Sequence, residues 1–168
     1  MPDKKVALII EENKDTAKMI KDLVVSLGIS PVQIATNISQ AQEAILTQEL
    51  SIIITETEVQ GRSGLELVNW LRKMNNQNKT VAVIALTGNA TRNLVSLARD
   101  TGVTEFVIKP FTKATLTSAI VNTIKSPRNF IITRQYTGPD RRRQTALPPD
   151  GEEKRTVSKH KIEENENE

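Results

Sequence analysis

Short, unbroken aliphatic runs alternate with amphipathic stretches along the first 125 residues, and that alternation limits what the chain can fold into. The first run is Val6-Ala7-Leu8-Ile9-Ile10, and Ala17, Ile20, Leu23, Val24 and Leu27 follow it at helical spacing. Gly28 stands where that helix would stop. Further runs at Val32–Ala35, Ile52–Thr55, Val81–Leu86 and Phe106–Ile108 bring the predicted strands to five. Helical patterns cover 38–48, 64–74, 91–100 and 112–125. Strands that are apolar throughout, each followed by a helix, belong in a parallel sheet covered on both faces, which is a doubly wound α/β sandwich. In such sheets the working site lies beyond the carboxyl ends of the strands.

With three Phe, one Trp and one Tyr in the whole chain, the core must be built from Ile, Val, Leu and Ala. The absence of cysteine excludes a disulfide framework, a thiolate metal site and a cysteine nucleophile, and makes a reducing, cytoplasmic setting the expected one. No apolar run approaches the roughly eighteen residues of a membrane span, and no signal-peptide core is present, so no membrane role is expected. No hydrolase, oxidoreductase or nucleophilic triad pattern appears, and the chain is read as a non-enzyme.

Charge is segregated. Residues 126–149 carry five Arg against Asp140 alone, whereas residues 150–168 carry seven acidic groups against four basic ones. The reading is a domain over 1–125, an arginine-rich ligand- or partner-binding extension over 126–147, and a disordered charged tail over 148–168 that holds His160, the single histidine.

Reading just past each strand gives Glu11-Glu12-Asn13, then Glu56, then Thr87-Gly88, then Lys109-Pro110-Phe111. Three carboxylates, a hydroxyl and an ammonium are expected to converge there. In order and on the right strands, the acidic pair with Asn13, the acid eight residues before Gly64-Leu65-Glu66-Leu67, Thr87 and Phe106-Val107-Ile108-Lys109-Pro110-Phe111 resemble the CheY-like response-regulator receiver family over residues 4–125. The resemblance implies a flavodoxin-like (βα)5 fold with strand order 2-1-3-4-5. It also implies phosphoryl transfer from a histidine kinase to the strand-three acid, Mg²⁺ held by the acidic pair, and Thr87, Phe106 and Lys109 as switch residues.

The family has aspartate at all three acidic positions, and this chain has Glu11, Glu12 and Glu56. Mg²⁺ demands near-octahedral geometry at about 2.0–2.1 Å, which three lengthened side chains do not readily supply. In-line phosphoryl transfer also depends on close positioning of the acceptor. The expectation is therefore a degenerate Mg²⁺ site at Glu11, Glu12 and Glu56, with Glu56 at the phosphoacceptor position but not accepting phosphate. Glu56 has two readings: its length carries the carboxylate towards Lys109 and Thr87 in imitation of an aspartyl phosphate, or it forms an ordinary ion pair with Lys109. Phe106 likewise is a switch aromatic or a core side chain.

The extension is the least ordinary stretch. Phe130, Ile131, Ile132 and Tyr136 lie within seven residues, Gly138-Pro139 is read as a turn, and Asp140-Arg141-Arg142-Arg143 follows. Arg pairs with guanine O6 and N7, stacks on bases and clamps phosphates, while a carboxylate accepts from guanine N–H groups. The segment Tyr136-Thr137-Gly138-Pro139-Asp140-Arg141-Arg142 resembles the arginine-rich extension of CheY-like cyclic di-GMP effectors, which implies Arg134, Tyr136, Asp140, Arg141, Arg142 and Arg143 as nucleotide-binding residues and ordering of the extension on binding. An Arg run is also compatible with a solvated face, an acidic protein partner or nucleic acid phosphates, the last disfavoured by a domain of only slight positive charge. The preferred reading is a signalling adaptor switched by cyclic di-GMP, with no tightly bound cofactor. Its protein partner is expected on the helix 4/strand 5/helix 5 face, a flagellar or chemotaxis component by analogy with the family. The alternatives are a phosphorylation-dependent receiver and a constitutive protein-interaction scaffold.

Overall fold

The aliphatic runs become strands because each leads to a capped helix and the three central ones, Val6–Ile10, Leu50–Glu56 and Ala82–Thr87, are buried on both sides. The computed structural model describes residues 4–142. Its main elements are β1 (Val6–Ile10), α1 (Lys14–Ser26), β2 (Val32–Ala35), α2 (Ile38–Thr47), β3 (Leu50–Glu56), α3 (Gly64–Lys73), β4 (Ala82–Thr87), α4 (Arg92–Thr101), β5 (Glu105–Ile108) and α5 (Lys113–Lys125). The strands lie side by side in the order β2-β1-β3-β4-β5, all parallel, as the doubly wound reading requires. The helix starts follow side-chain chemistry: Asn13, Asn37, Ser63, Thr91 and Thr112 each accept a backbone N–H from the first turn.

Alternation along the strands splits the core in two. Leu8, Ile10, Ile53, Val83 and Ala85 face α2, α3 and α4, where Ile45, Leu65, Val68 and Leu71 meet them. Ala7, Ile9, Ile52, Ile54, Ile84 and Leu86 face α1 and α5, against Ile20, Val24, Leu116 and Ile120. Register pairs Ile54 with Ile9 on one side and Ile84 on the other. The strands therefore end nearly level, which brings Glu11, Glu56, Thr87 and Lys109 to one edge of the sheet.

Beyond α5 the chain does not trail away. Residues Phe130–Ile132 (β6) and Thr137–Pro139 (β7) form an antiparallel hairpin, with Phe130 opposite Pro139 and Ile132 opposite Thr137. Thr133 closes the bend: its N–H donates to Tyr136 O at 2.8 Å and its Oγ1 accepts from Tyr136 N at 2.9 Å. This corrects the sequence reading twice. Gly138-Pro139 is strand rather than turn, because the bend falls earlier, at Thr133–Tyr136. The described part of the extension is also already folded, since Phe130, Gly138 and Pro139 are buried against the domain. Arg143, His160 and the stretch 148–168 lie outside the described residues.

Candidate functional site

Two regions concentrate polar side chains, one at each end of the sheet. At the carboxyl end, Glu11 follows β1 and is 2% exposed. Its Oε1 accepts the Asn13 N–H at 2.8 Å and its Oε2 lies 3.2 Å from Lys109 Nζ. The same ammonium forms an ion pair with Glu56 Oε1, an oxygen shut off from solvent that accepts no hydrogen bond from any other described group. Lys109 thus lies between two carboxylates, one positive charge shared by two negative ones.

Glu12 does not join them. Its side chain turns to the loop after β3, where Oε2 accepts the Gln60 N–H at 3.0 Å. That loop is a tight two-residue ladder, Glu58–Val59 against Arg62–Ser63, with Gln60 and Gly61 at positive φ. Convergence of three carboxylates is therefore corrected to two, because the exposed Glu12 finds a backbone donor while Glu11 and Glu56 share the lysine. Among the described residues no group of three or more acidic or histidine side chains is placed to hold a metal ion. The residues present do not fit a Mg²⁺ cage.

Thr87, the last residue of β4, is buried, and its hydroxyl accepts from Thr57 Oγ1 at 3.1 Å and from the Asn89 N–H at 3.2 Å. It faces Thr57 rather than Glu56, so the structure brings Glu56 to Lys109 and not to Thr87. Phe106 on β5 is half-buried and packs against the α2–α3–α4 side of the core. Sequence reading missed Thr57, although its place directly after Glu56 was a signal. Gly64 has a role of its own here: a Cβ there would strike the Glu56 carbonyl, so α3 can start this close to the site only with glycine.

The other region lies at the opposite end of the sheet, where α3 and α4, which run antiparallel to the strands, finish. The hairpin docks on their last turns. Tyr136 Oη donates to Pro139 O at 2.8 Å and lies 3.4 Å from Arg99 O. The Arg141 guanidinium lies over the Tyr136 ring, 4.3 Å from its centroid, and pairs with Asp100 Oδ1 at 2.7 Å. Asp140 Oδ1 accepts the Arg142 N–H at 3.0 Å. Ile131, Thr133, Arg134, Gln135, Tyr136, Asp140, Arg141, Arg142 and Asp100 line a cleft of about 680 Å³. Burial pushes the Tyr136 phenol above its ordinary value of 10.0, with Arg141 and Arg72 opposing that rise. Of the expected nucleotide-binding residues, the structure gathers Arg134, Tyr136, Asp140, Arg141 and Arg142 around this cleft, Arg143 lying outside the described residues, and it adds Asp100 of α4, which no sequence signal marked.

The family model for the response regulator receiver domain matches residues 7–121. The chain belongs to the response-regulator receiver family. Receivers similar to it include the chemotaxis protein CheY-3 of Vibrio cholerae, 27% identical over 109 residues that make up 65% of this chain and 83% of that protein. The chemotaxis protein CheY of Pseudomonas aeruginosa is 26% identical over 113 residues, 67% of this chain and 90% of that one. Among solved structures, the receiver domain of the sensor histidine kinase PA1611 of Pseudomonas aeruginosa, described with a magnesium ion in its active-site cleft, superposes with a TM-score of 0.64. It is 24% identical and the match covers 73% of this chain and 98% of that domain, a likeness of fold. The family match ends before the hairpin, so the hairpin lies outside the matched residues while the ends of α3 and α4 on which it docks lie within them. No helix among the described residues is long and apolar enough to cross a membrane.

Proposed function

We propose that this receiver signals through a nucleotide rather than a phosphoryl group: it binds cyclic di-GMP in the cleft between its arginine-rich hairpin and the end of α4, and does not accept phosphate at Glu56. The observation that carries the reading is Arg141 laid on the Tyr136 ring beside Asp100 and Asp140. That arrangement offers a guanine a cation and an aromatic face for stacking, with carboxylates for its N–H donors, while the exposed Arg134 and Arg142 are free to meet phosphates. The cleft volume falls within the range of small-molecule sites. The opposite end supports the second half of the reading, since Lys109 occupies the space between Glu11 and Glu56 and Glu12 is engaged by Gln60.

The output would pass to a protein partner on the α4–β5–α5 face, where Val95, Leu97 and Ile108 are exposed. A chemotaxis component is the candidate that the names of the CheY relatives suggest. The test is calorimetric titration of cyclic di-GMP into the intact chain and into Arg141→Ala and Asp140→Ala. Saturable binding that both substitutions weaken at least tenfold is expected, each losing about 1.4 kcal/mol or more. Absence of binding at high micromolar nucleotide would sink the reading and leave a phosphate-independent scaffold in its place.

A further inference from the structure

Arg72 sits in the last turn of α3 on the stripe Leu65–Val68–Arg72, whose other members are core aliphatics. It is 1% exposed, and no carboxylate among the described residues lies within ion-pairing distance. Its Nε and Nη2 both donate to Gly102 O, at 3.1 and 2.9 Å, and Nη1 donates to Lys79 O at 2.8 Å. The Phe130 ring covers the guanidinium, with Cζ 4.8 Å from the centroid. Burial lowers its pKa to about 9, so it remains a cation at neutral pH. A leucine would fill the core at this position without the cost of a buried charge. What the charge adds is contact with three things outside the core, the Lys79 carbonyl, the α4 terminus and the hairpin.

Gly102 joins these parts. It ends α4 at φ +98°, and a Cβ on it would meet Thr137 O at 2.8 Å and Arg72 Cγ at 3.0 Å. A Cβ on Gly138 would meet Gly102 Cα at 2.7 Å. The hairpin backbone therefore rests directly on the residue whose carbonyl Arg72 holds. The seat carries this fit outward: with Gly138 on Gly102, Tyr136 Oη reaches Arg99 O and Arg141 reaches Asp100. A shift of the hairpin by one residue would unseat Gly138 from Gly102.

We propose that Arg72, which does not line the cleft, is the positioning residue of the nucleotide site: forked onto Gly102 O and roofed by Phe130, it fixes the seat of the hairpin on the end of α4, which places Tyr136 and Arg141 against Asp100. The inference rests on the cleft's being the cyclic di-GMP site.

The experiment is titration of cyclic di-GMP into the full chain and its Arg72→Met, Arg72→Lys, Phe130→Leu and Arg141→Ala variants over a range of salt, with amide hydrogen exchange on each. Arg72→Met should bind about tenfold more weakly and Phe130→Leu about threefold, with Arg72→Lys between wild type and Arg72→Met. The salt dependence of Kd should stay at its wild-type value in Arg72→Met and weaken in Arg141→Ala, which removes a cation placed against the ligand. Amides of Tyr136 and Asp140 should lose protection in Arg72→Met while those of Ile9, Ile54 and Ile84 keep it. If Arg72→Met does not fold, Phe130→Leu carries the same comparison. Wild-type affinity in Arg72→Met, or in Phe130→Leu where that variant carries the comparison, overturns the proposal alone. So does a changed salt dependence in Arg72→Met, which would mean that the guanidinium touches the ligand. A wild-type chain that fails to bind overturns the nucleotide reading and this proposal with it.

Discussion

Lys109 Nζ lies 3.2 Å from Glu11 Oε2, a pairing of residues 98 positions apart that closes the carboxyl edge of the sheet over a buried carboxylate. Replacing the lysine by methionine keeps most of its stem but leaves Glu11 and Glu56 facing each other without a cation. An uncompensated buried charge costs several kcal/mol, and Lys109 is partly solvated, so a loss near the low end, about 2 kcal/mol, is expected. Urea unfolding of Lys109→Met against wild type measures it, and an unchanged midpoint would show that water already balances the pair.

Incubation with acetyl phosphate and Mg²⁺ should leave the intact mass of the chain unchanged. Glu56→Asp alone should not alter that outcome, because Glu12 remains on the Gln60 N–H and Lys109 on Glu11. A phosphoryl adduct on the wild-type chain would restore the phosphorylation-dependent reading.

Gly64→Ala would drive a methyl group into the Glu56 carbonyl, backbone that cannot step aside cheaply. The start of α3 must shift, and a loss of about 2 kcal/mol or more is expected, read as a lower melting temperature. A neutral substitution would show that the Thr57–Gly64 loop absorbs the displacement.

Tyr136 is the single tyrosine of the chain, so phenolate absorbance reports it alone. Its titration midpoint should lie above 10 in the folded protein, chiefly because the ring is partly buried, and should rise further in Arg141→Ala, where a cation that favours phenolate is gone. A phenol whose pKa is raised on folding contributes stability that is complete below the unfolded pKa of 10.0 and is lost as pH climbs from there through the folded value. A midpoint at 10 in the folded chain would mean that the hairpin leaves the ring in water.

Much of the fold was legible because burial on both faces of a parallel sheet writes itself as aliphatic runs, and helix starts write themselves as Asn, Ser or Thr caps. Boundaries moved by a residue or two where side chains carry no marker: β3 starts at Leu50 rather than Ile52, and Glu56 and Thr87 end their strands instead of following them. At the site, residue types and strand positions identified Glu11, Glu56, Thr87 and Lys109, but not their partners. Arg72 did leave a trace, a charge on the apolar stripe Leu65–Val68–Arg72, whose meaning depended on what faced it.

By itself, then, the sequence determined the layers, the strand-end chemistry and the departure of all three family aspartates to glutamate, since periodicity and residue identity are local properties. Only the tertiary structure decided that Glu12 goes to Gln60 while Lys109 bridges the other two, and that Asp100 and Arg72 serve the hairpin. Those outcomes turn on which donor reaches which acceptor first across segments far apart in the chain, and on where two glycines let backbones touch. Neither is written in the spacing of any one segment.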